Sequence, residues 1–489
     1  MRRDIFPLKL DSSRKQPLYV QISEAIARDV TSGRLRPGDN LPGTRQLAEL
    51  LGVHRSTVVL AYNELATQSW IETRPGGPSN IAKCLPEIAL TRTSRRIDGA
   101  VAVRCGYDIG PPAVSSVLSR RLPPGTLALW GGIPDLRLLP VELLTRAYRR
   151  AAKRQGCELF GYSEDAYGHI SLRGSLAKLL CERRGMSIDS SDLLVTRGSQ
   201  MALDLIARSL IRPGDTVVVE SLCYVNAVAV FRRYGATVVP ITVDQDGIDI
   251  DALTAFAKRS PVRIVYVTPH HQYPTTVTLG AARRLALLEL AKVQHFAIVE
   301  DDYDQEFHYD GQPVLPLASR DSGGNVIYVG TLAKILAPGL RLAYVVAPKP
   351  LLARMAEERV LVDRQGDLVL ECAVAELIED GDVQRHIRRT KRIYQARRDA
   401  LCECVKKDLS GILSFSVPPG GLALWALAVA PVDLNAWQSR ALKNGVYAQI
   451  GKQFSLDGSD VRAVRLGFAL HDEKTLKSAV RVLAKSLPI

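Results

Sequence analysis

Residues 264–303 decide the fold, and they read IVYVTPHHQYPTTVTLGAARRLALLELAKVQHFAIVEDDY. The apolar run at 264–268 predicts a buried strand, the amphipathic stretch at 281–293 predicts a helix, and the apolar run at 296–299 predicts another strand. A helix between two buried strands is typical of parallel strands in an α/β fold.

The same alternation continues on both sides of this segment. Further apolar runs predict strands at 193–196, 216–220, 237–241, 326–329 and 342–346, and helical stretches separate several of them. Together the runs predict an α/β fold with a seven-stranded, mostly parallel sheet covered by helices on both faces. Ligands of such sheets bind at the carboxyl ends of the strands, so the residues after each strand are the candidates for a site.

Length and composition indicate a folded protein of two or three domains. The chain has 489 residues, of which 46% are hydrophobic and 24% charged, and this excludes wholesale disorder. The longest apolar run, 422–430, is far shorter than the roughly 20 residues of a membrane helix. The N-terminus lacks the apolar core of a secretory signal, and the eight scattered cysteines lack metal-ligand spacing. We therefore expect a cytoplasmic protein with reduced thiols, no metal site and no membrane contact.

The first eighty residues have the pattern of a winged helix-turn-helix. Apolar spacing predicts helices at 18–30, 44–51 and 55–68, followed by a strand and a glycine turn, the wing. The net charge of +13 is densest in the first quarter of the chain, which favours an acidic partner such as DNA. The alternative is a small helical packing module whose polar residues only face solvent. The residues that begin the third helix, which could enter a major groove, are His54, Arg55, Ser56 and Thr57.

These patterns divide the chain into three predicted segments. We expect a winged helix-turn-helix DNA-binding domain at 1–82 and an irregular linker, rich in turn residues, at 83–125. A large α/β domain is expected at 126–489.

Polar residues at the predicted strand ends suit one chemistry. A lysine such as Lys334 can form a Schiff base with an aldehyde when its pKa is lowered. A carboxylate such as Asp301 can keep a pyridinium nitrogen protonated, as a pyridoxal ring requires. Ser199 and Gln200 at a helix N-terminus, together with Arg341, can bind a phosphate.

Two tyrosines complete this set. Tyr224 offers a face for the ring, and Tyr303 offers a phenol for its 3-oxygen. Each residue alone has an ordinary explanation, because lysines after strands are usually solvated and acidic pairs usually cap loops. Their occurrence at successive strand ends favours a pyridoxal phosphate (PLP) site.

Two sets of motifs resemble one family of regulators. Residues 17–19, 38–45, 51–58 and 61–65 closely resemble the GntR-type winged helix. Residues 196–205, 267–275, 300–307 and 330–342 resemble the fold-type I aminotransferase-like domain of MocR/GabR-type regulators. The order of the two parts, with the winged-helix DNA reader first and the aminotransferase-like domain second, is typical of that subfamily.

The resemblance implies a role for individual residues. Lys334 is implied to be the catalytic lysine, and the implied cofactor-binding residues are Lys334, Asp301, Tyr303, Tyr224, Ser199, Gln200 and Arg341. The implied effector-binding residues are Arg465 and His271. The implied DNA-binding residues are Arg45, His54, Arg55, Ser56, Thr57 and, in the wing, Arg74.

The chain departs from the family pattern at the effector site. Asn226 stands two residues after Tyr224, where members that sense γ-aminobutyrate have an arginine. We therefore expect γ-aminobutyrate to be a poor effector. His270 and Thr276 also replace the usual serine and glycine of the loop beside the ring.

Two functions from different classes remain open. The first is a homodimeric transcription regulator that binds operator DNA and senses PLP, or an amine or amino acid held through PLP, with residual half-transamination possible. The second is a working PLP-dependent aminotransferase with an appended DNA-binding arm, and a PLP reservoir is a weaker third hypothesis. The fused reader favours the regulator, because catalysis has no use for a winged helix.

Overall fold

A computed structural model describes residues 16–73, 78–85, 108, 122–154, 156–311, 314–456 and 458–488. The chain divides into two compact units, an N-terminal unit of residues 1–109 and a C-terminal unit of residues 110–489. Most of the predicted linker lies outside the described residues, so the three-segment division stays a prediction. Within the described residues, no helix has the length and apolar character needed to cross a membrane.

The N-terminal unit packs three helices against a short two-stranded sheet. Its elements are α1 (Leu18–Thr31), α2 (Thr44–Leu51), α3 (Arg55–Thr67), β1 (Ile71–Glu72) and β2 (Asn80–Ile81). Helix α2 ends at Gly52, whose φ of 64° is left-handed backbone that suits glycine. The predicted inward-facing residues Val58, Tyr62 and Leu65 of α3 are buried, and the Tyr62 hydroxyl donates to the Pro42 carbonyl at 2.7 Å.

The C-terminal unit contains the remaining strands and helices. Its strands are β3 (Leu127–Ala128), β4 (Leu193–Thr196), β5 (Thr216–Glu220), β6 (Thr237–Ile241), β7 (Val243–Asp244), β8 (Gly247–Ile248), β9 (Ile264–Val267), β10 (Ala297–Asp302), β11 (Val326–Thr331), β12 (Ala343–Val346), β13 (Leu413–Ser414), β14 (Ala423–Ala428), β15 (Val446–Tyr447), β16 (Gln449–Ile450) and β17 (Ala463–Gly467). Its helices are α4 (Val141–Arg154), α5 (Ile170–Arg184), α6 (Ser199–Leu210), α7 (Val225–Arg233), α8 (Ile250–Ala257), α9 (Ala281–Gln294), α10 (Lys349–Val362), α11 (Leu368–Glu379), α12 (Asp382–Asp408), α13 (Leu434–Lys443) and α14 (Glu473–Lys485).

The seven predicted strands form one sheet in the order β4-β12-β11-β10-β9-β5-β6. Only β12 runs antiparallel to its neighbours, so the sheet is mostly parallel, as predicted. Helices cover both faces of the sheet, so its strands are almost wholly buried, except for the edge strand β6, which is only partly buried.

The strands that carry the site are longer than the sequence predicts. The sequence places 300–302 after the strand, whereas β10 continues through Asp302, because Asp301 and Asp302 pair with Val329 and Gly330 of β11. Successive side chains of a strand point to opposite faces, so these two carboxylates face different surroundings.

A smaller sheet, in the order β13-β14-β17-β16, holds the C-terminal part of the unit. Strand β17 pairs with β14 along its whole length, with Arg465 opposite Trp425. Helices α12 and α14 pack near this sheet through an apolar cluster that includes Leu401 and Val480. This sheet thus fixes the position of Arg465.

Candidate functional site

The N-terminus of α6 forms an anion cradle with Arg341. Ser199 and Gln200 begin this 12-residue helix, directly after Gly198. Gly198 has a φ of 87°, and a Cβ there would lie 2.5 Å from Nη2 of Arg341. The missing side chain therefore lets the Arg341 guanidinium lie against the helix start, where it donates to the Arg197 carbonyl at 3.0 Å. Free backbone N–H groups and a guanidinium at one place suit a phosphate.

Asp301 lies buried at the end of β10 with one oxygen free. Its Oδ2 accepts a hydrogen bond from the Tyr266 hydroxyl at 2.8 Å, whereas Oδ1 has no partner. Burial raises the pKa of Asp301 to about 6, and the nearby charge of Asp302 adds to that rise. A protonated ring nitrogen would give Oδ1 a donor and would stabilise the ionised carboxylate.

Lys334 lies in the loop after β11, close to this carboxylate. Burial lowers the pKa of the Lys334 ammonium, the charges of Asp304 and Asp301 oppose that effect, and the charges of Arg465 and Arg341 add to it. A lysine with a lowered pKa is more often present as the free amine, which is the form that attacks an aldehyde.

Tyr224 and Gln200 meet above the helix start. The Tyr224 hydroxyl lies 3.4 Å from Oε1 of Gln200 and accepts a hydrogen bond from Nδ2 of Asn226 at 3.0 Å. Burial raises the pKa of Tyr224, and the charges of Asp301 and Arg341 act on it, so it lies near both. Asn226 is thus engaged with Tyr224, and the amide adds no positive charge to the site.

Tyr303 and His271 lie beside the ring site in a mainly buried network. The Tyr303 hydroxyl donates to the His271 carbonyl at 3.0 Å, and Nδ1 of His271 lies 2.7 Å from Oδ1 of Asp304. The His271 side chain is fully buried. His271 is therefore a local hydrogen-bonding partner in the structure, and its proposed contact with cofactor or effector stays a prediction.

Arg465 is fully buried on β17 and keeps two unpaired donors. Its Nη1 donates to the Pro274 carbonyl at 2.5 Å, and its guanidinium carbon lies 4.4 Å from the centre of the Tyr273 ring. Nε and Nη2 form no hydrogen bond, the Tyr303 phenol lies near the guanidinium, and a Cβ on Gly131 would collide with Nε. A buried guanidinium with two free donors is suited to a carboxylate.

Sequence reasoning missed two residues of the site. Tyr266, which donates a hydrogen bond to Asp301, is the one aromatic residue of β9, and this was the only signal in the sequence, because its pairing opposite Val299 is known only from the structure. Asp304 holds His271 and acts on Lys334, and although it lies within the 300–307 motif, the motif gives it no role.

Three buried histidines form a cluster that the sequence did not predict. The ligand atoms of His270, His271 and His308 lie within 4.8 Å of one another, close enough to hold a metal ion. Burial lowers the pKa of His270, and the charges of Arg184 and Arg284 lower it further. Asp304, which lies 2.7 Å from His271, adds a carboxylate beside the cluster, and the absence of a metal site stays a prediction.

The N-terminal unit exposes the polar residues predicted to bind DNA. Arg45, His54, Arg55 and Ser56 are exposed and Thr57 is half-buried. Nδ1 of His54 accepts from the Ser56 amide at 3.4 Å and so caps α3, while Nε of Arg55 donates to Thr44 at 3.4 Å. Arg74 lies outside the described residues.

Comparison with known proteins matches both parts of the chain to families. Bacterial regulatory proteins of the gntR family match residues 18–81, and the aminotransferase class I and II family matches residues 135–483. The probable rhizopine catabolism regulatory protein MocR of Rhizobium meliloti is 30% identical over 97% of this chain and 95% of its own length. Aromatic-amino-acid aminotransferase 1 of Thermococcus litoralis is 31% identical over 74% of this chain and 88% of its own length.

Solved structures agree with the second match. The crystal structure of the multiple substrate aminotransferase from Thermococcus profundus has a TM-score of 0.70 and 30% identity, over 75% of this chain and 92% of that one. Fold-type I aminotransferases use PLP, and the free Oδ1 of Asp301, the cradle at Gly198 and the amine of Lys334 fit that cofactor. The chain therefore belongs to the MocR-type regulators of the gntR family, in which a helix-turn-helix unit is joined to a PLP-binding aminotransferase class I and II domain.

Proposed function

We propose that this protein binds operator DNA as a homodimer and that its C-terminal unit senses PLP, or an amine or amino acid held through PLP. The observation that carries the proposal is the combination, in one chain, of a gntR-type reader and a site with Lys334, Asp301 and Arg465 in place.

The cofactor, when bound, supplies an aldehyde that bonds an amine and a ring that withdraws electrons. Asp301 would hold the ring nitrogen, and the start of α6 and Arg341 would hold the phosphate. Tyr224 would stack on the ring, and Tyr303 would bond its 3-oxygen. If an effector amine replaced Lys334, the lysine would be left free beside Asp304, and the effector carboxylate would pair with Arg465. The contacts of Lys334 and Arg465 would thus differ between the protein with and without the effector. A ligand shifts a conformational equilibrium only through such a difference in its interactions with the two conformations.

The C-terminal unit presents an apolar surface that supports the homodimer. Phe160, Tyr162 and Leu361 are 68%, 83% and 80% exposed. Gln365 bonds the Gly161 carbonyl at 3.1 Å and the Ser163 amide at 2.6 Å, which holds the 160–163 segment near the end of α10. Large exposed apolar groups mark interfaces, and two readers in a dimer would engage paired half-sites. Light scattering should give twice the 53.6 kDa of one chain.

A working aminotransferase is the second candidate, because the lysine, aspartate and arginine of the site are all present. The decisive experiment incubates PLP-loaded protein with candidate amino acids and a keto acid, and measures product formation and operator affinity in the same samples. The regulator account expects operator affinity to change without sustained turnover. Sustained turnover with unchanged operator affinity would favour the enzyme.

The reader can be tested separately. Alanine at both Arg45 and Arg55 should weaken operator binding and flatten its salt dependence by about one unit of slope per lost phosphate contact. Arg320→Ala, which also removes an exposed arginine but in the C-terminal unit, is the matched control. Wild-type affinity and salt slope in the double variant would place the DNA contact elsewhere.

A further inference from the structure

The surroundings of Arg465 restrict the effector, provided that the proposed amine sensing holds. Arg465 offers Nε and Nη2 to a carboxylate, and Lys334 marks the place of the effector amine. The part of an effector that is neither amine nor carboxylate must therefore lie against the side chains around these two residues.

Three half-buried aromatic residues contact Arg465, pair with it across strands or adjoin a residue that contacts it. Trp425 is its partner across strands β14 and β17, and such partners project from the same face of a sheet. Tyr273 lies under its guanidinium. Trp130 precedes Gly131, the glycine that lies against Nε. All three rings are only partly buried, so each keeps surface that a ligand can cover.

Two buried aromatic rings pack against these three half-buried residues. Phe454 lies edge-on to Tyr273 at 5.5 Å and to Trp425 at 5.8 Å, and Tyr447 lies 5.0 Å from Trp130. Phe454 and Tyr447 are both 2% exposed. Because packed rings hold these three in place, the effector meets a preformed aromatic wall.

The charges of the site leave room for one carboxylate. The cations that act on Lys334 are Arg465 and Arg341, and Arg341 belongs to the phosphate cradle. Asn226, beside Tyr224, is neutral and already bonded to it. A second acidic group on the effector would be buried against aromatic rings, which is unfavourable for a charge without a cationic partner.

We propose that the effector is an α-amino acid with an aromatic side chain and a single carboxylate. Its carboxylate pairs with Arg465, its amine takes the place of Lys334, and its ring packs against Tyr273, Trp425 and Trp130. Acidic amino acids fit poorly because they bring a second charge. Aliphatic ω-amino acids such as γ-aminobutyrate fit poorly because they have no ring and their amine and carboxylate lie farther apart than in an α-amino acid.

The test titrates full-length, PLP-loaded protein with L-phenylalanine, L-alanine, L-glutamate and γ-aminobutyrate. Absorbance near ~420 nm and affinity for the DNA upstream of the protein's own gene are followed together. Burial of a phenyl ring should make phenylalanine bind at least about ten-fold more tightly than alanine. Glutamate should bind no more tightly than alanine.

Trp425→Leu should lower the ratio of phenylalanine to alanine affinity, and Phe415→Leu, which changes a half-buried ring elsewhere in the unit, should leave it unchanged. Alanine affinity reports whether the variant keeps its site, since alanine needs Lys334 and Arg465 but no ring. Equal affinities for phenylalanine and alanine, or an unchanged ratio of the two in Trp425→Leu, would overturn the inference about the aromatic side chain. Either result would remain compatible with amine sensing. If no amino acid changes the absorbance, amine sensing fails as well, and PLP itself is the signal.

Discussion

Gly198→Ala should separate cofactor binding from stability. The new Cβ would lie 2.5 Å from Nη2, 2.7 Å from Cζ and 3.0 Å from Nη1 of Arg341, so the guanidinium must withdraw by about 1 Å to restore normal contact. Arginine is flexible, so the withdrawal itself costs little. The hydrogen bonds from Arg341 to the PLP phosphate are charge-assisted and contribute about 1.5–3 kcal/mol. Their loss should therefore raise the dissociation constant for PLP about 10- to 100-fold.

Gly214→Ala is the matched control for backbone strain. Gly214 has a φ of 92°, close to the 87° of Gly198, but no atom lies within 4 Å of the position that a Cβ would take there. Both variants should lose about 1–3 kcal/mol of unfolding free energy, because an L-residue is strained at a positive φ, and Gly198, with a ψ of 162°, has a backbone conformation that is essentially restricted to glycine. PLP titration followed by absorbance, with urea unfolding of the apo-protein, separates the two effects. Equal PLP affinity in the two variants would refute the phosphate cradle.

Further predictions concern the charged groups of the site. Arg465→Gln should weaken amino-acid binding about 10- to 100-fold and leave PLP binding intact, because only the carboxylate contact is lost; parallel loss of both in absorbance titrations would contradict this role. Burial raises the pKa of Asp301 to about 6, above the roughly 4 of an unfolded aspartate, so the folded apo-protein binds the extra proton and its unfolding free energy must fall as pH rises from 4 to 6. Urea unfolding at pH 4 and pH 7 measures this difference in unfolding free energy, and Asp301→Asn should make it smaller by about 1–3 kcal/mol. The same difference in the variant as in the wild type would show that Asp301 does not carry the raised pKa.

Apolar periodicity predicted the large sheet well. All seven strands lie where apolar runs occur, because strands packed on both faces must be continuously apolar. The ends of β10 and β11 were less predictable, since Asp301 and Asp302 are polar and their strand pairing depends on residues of another segment.

The sequence predicted which kinds of residue form the site, but it did not predict the contacts between them. Asp301 lies near the end of β10 and Lys334 follows the parallel strand β11. Arg341 precedes β12, whose antiparallel direction places its start at the same edge of the sheet. The bond between Tyr266 and Asp301, and the aromatic wall at Arg465, join segments 35 and 40 residues or more apart. Neither follows from local spacing, because strand register and packing between the two sheets determine them.

In the proposed regulator, the chemical state of Lys334 changes how the N-terminal unit binds DNA. The most direct test is footprinting of the upstream region of the protein's own gene with wild-type protein and Lys334→Ala, each with and without PLP and phenylalanine. The account predicts that the wild-type footprint changes with these ligands, whereas Lys334→Ala, which lacks the borohydride-reducible chromophore near ~420 nm, gives one footprint under all conditions. Ligand-dependent footprints that are the same in both proteins would contradict it.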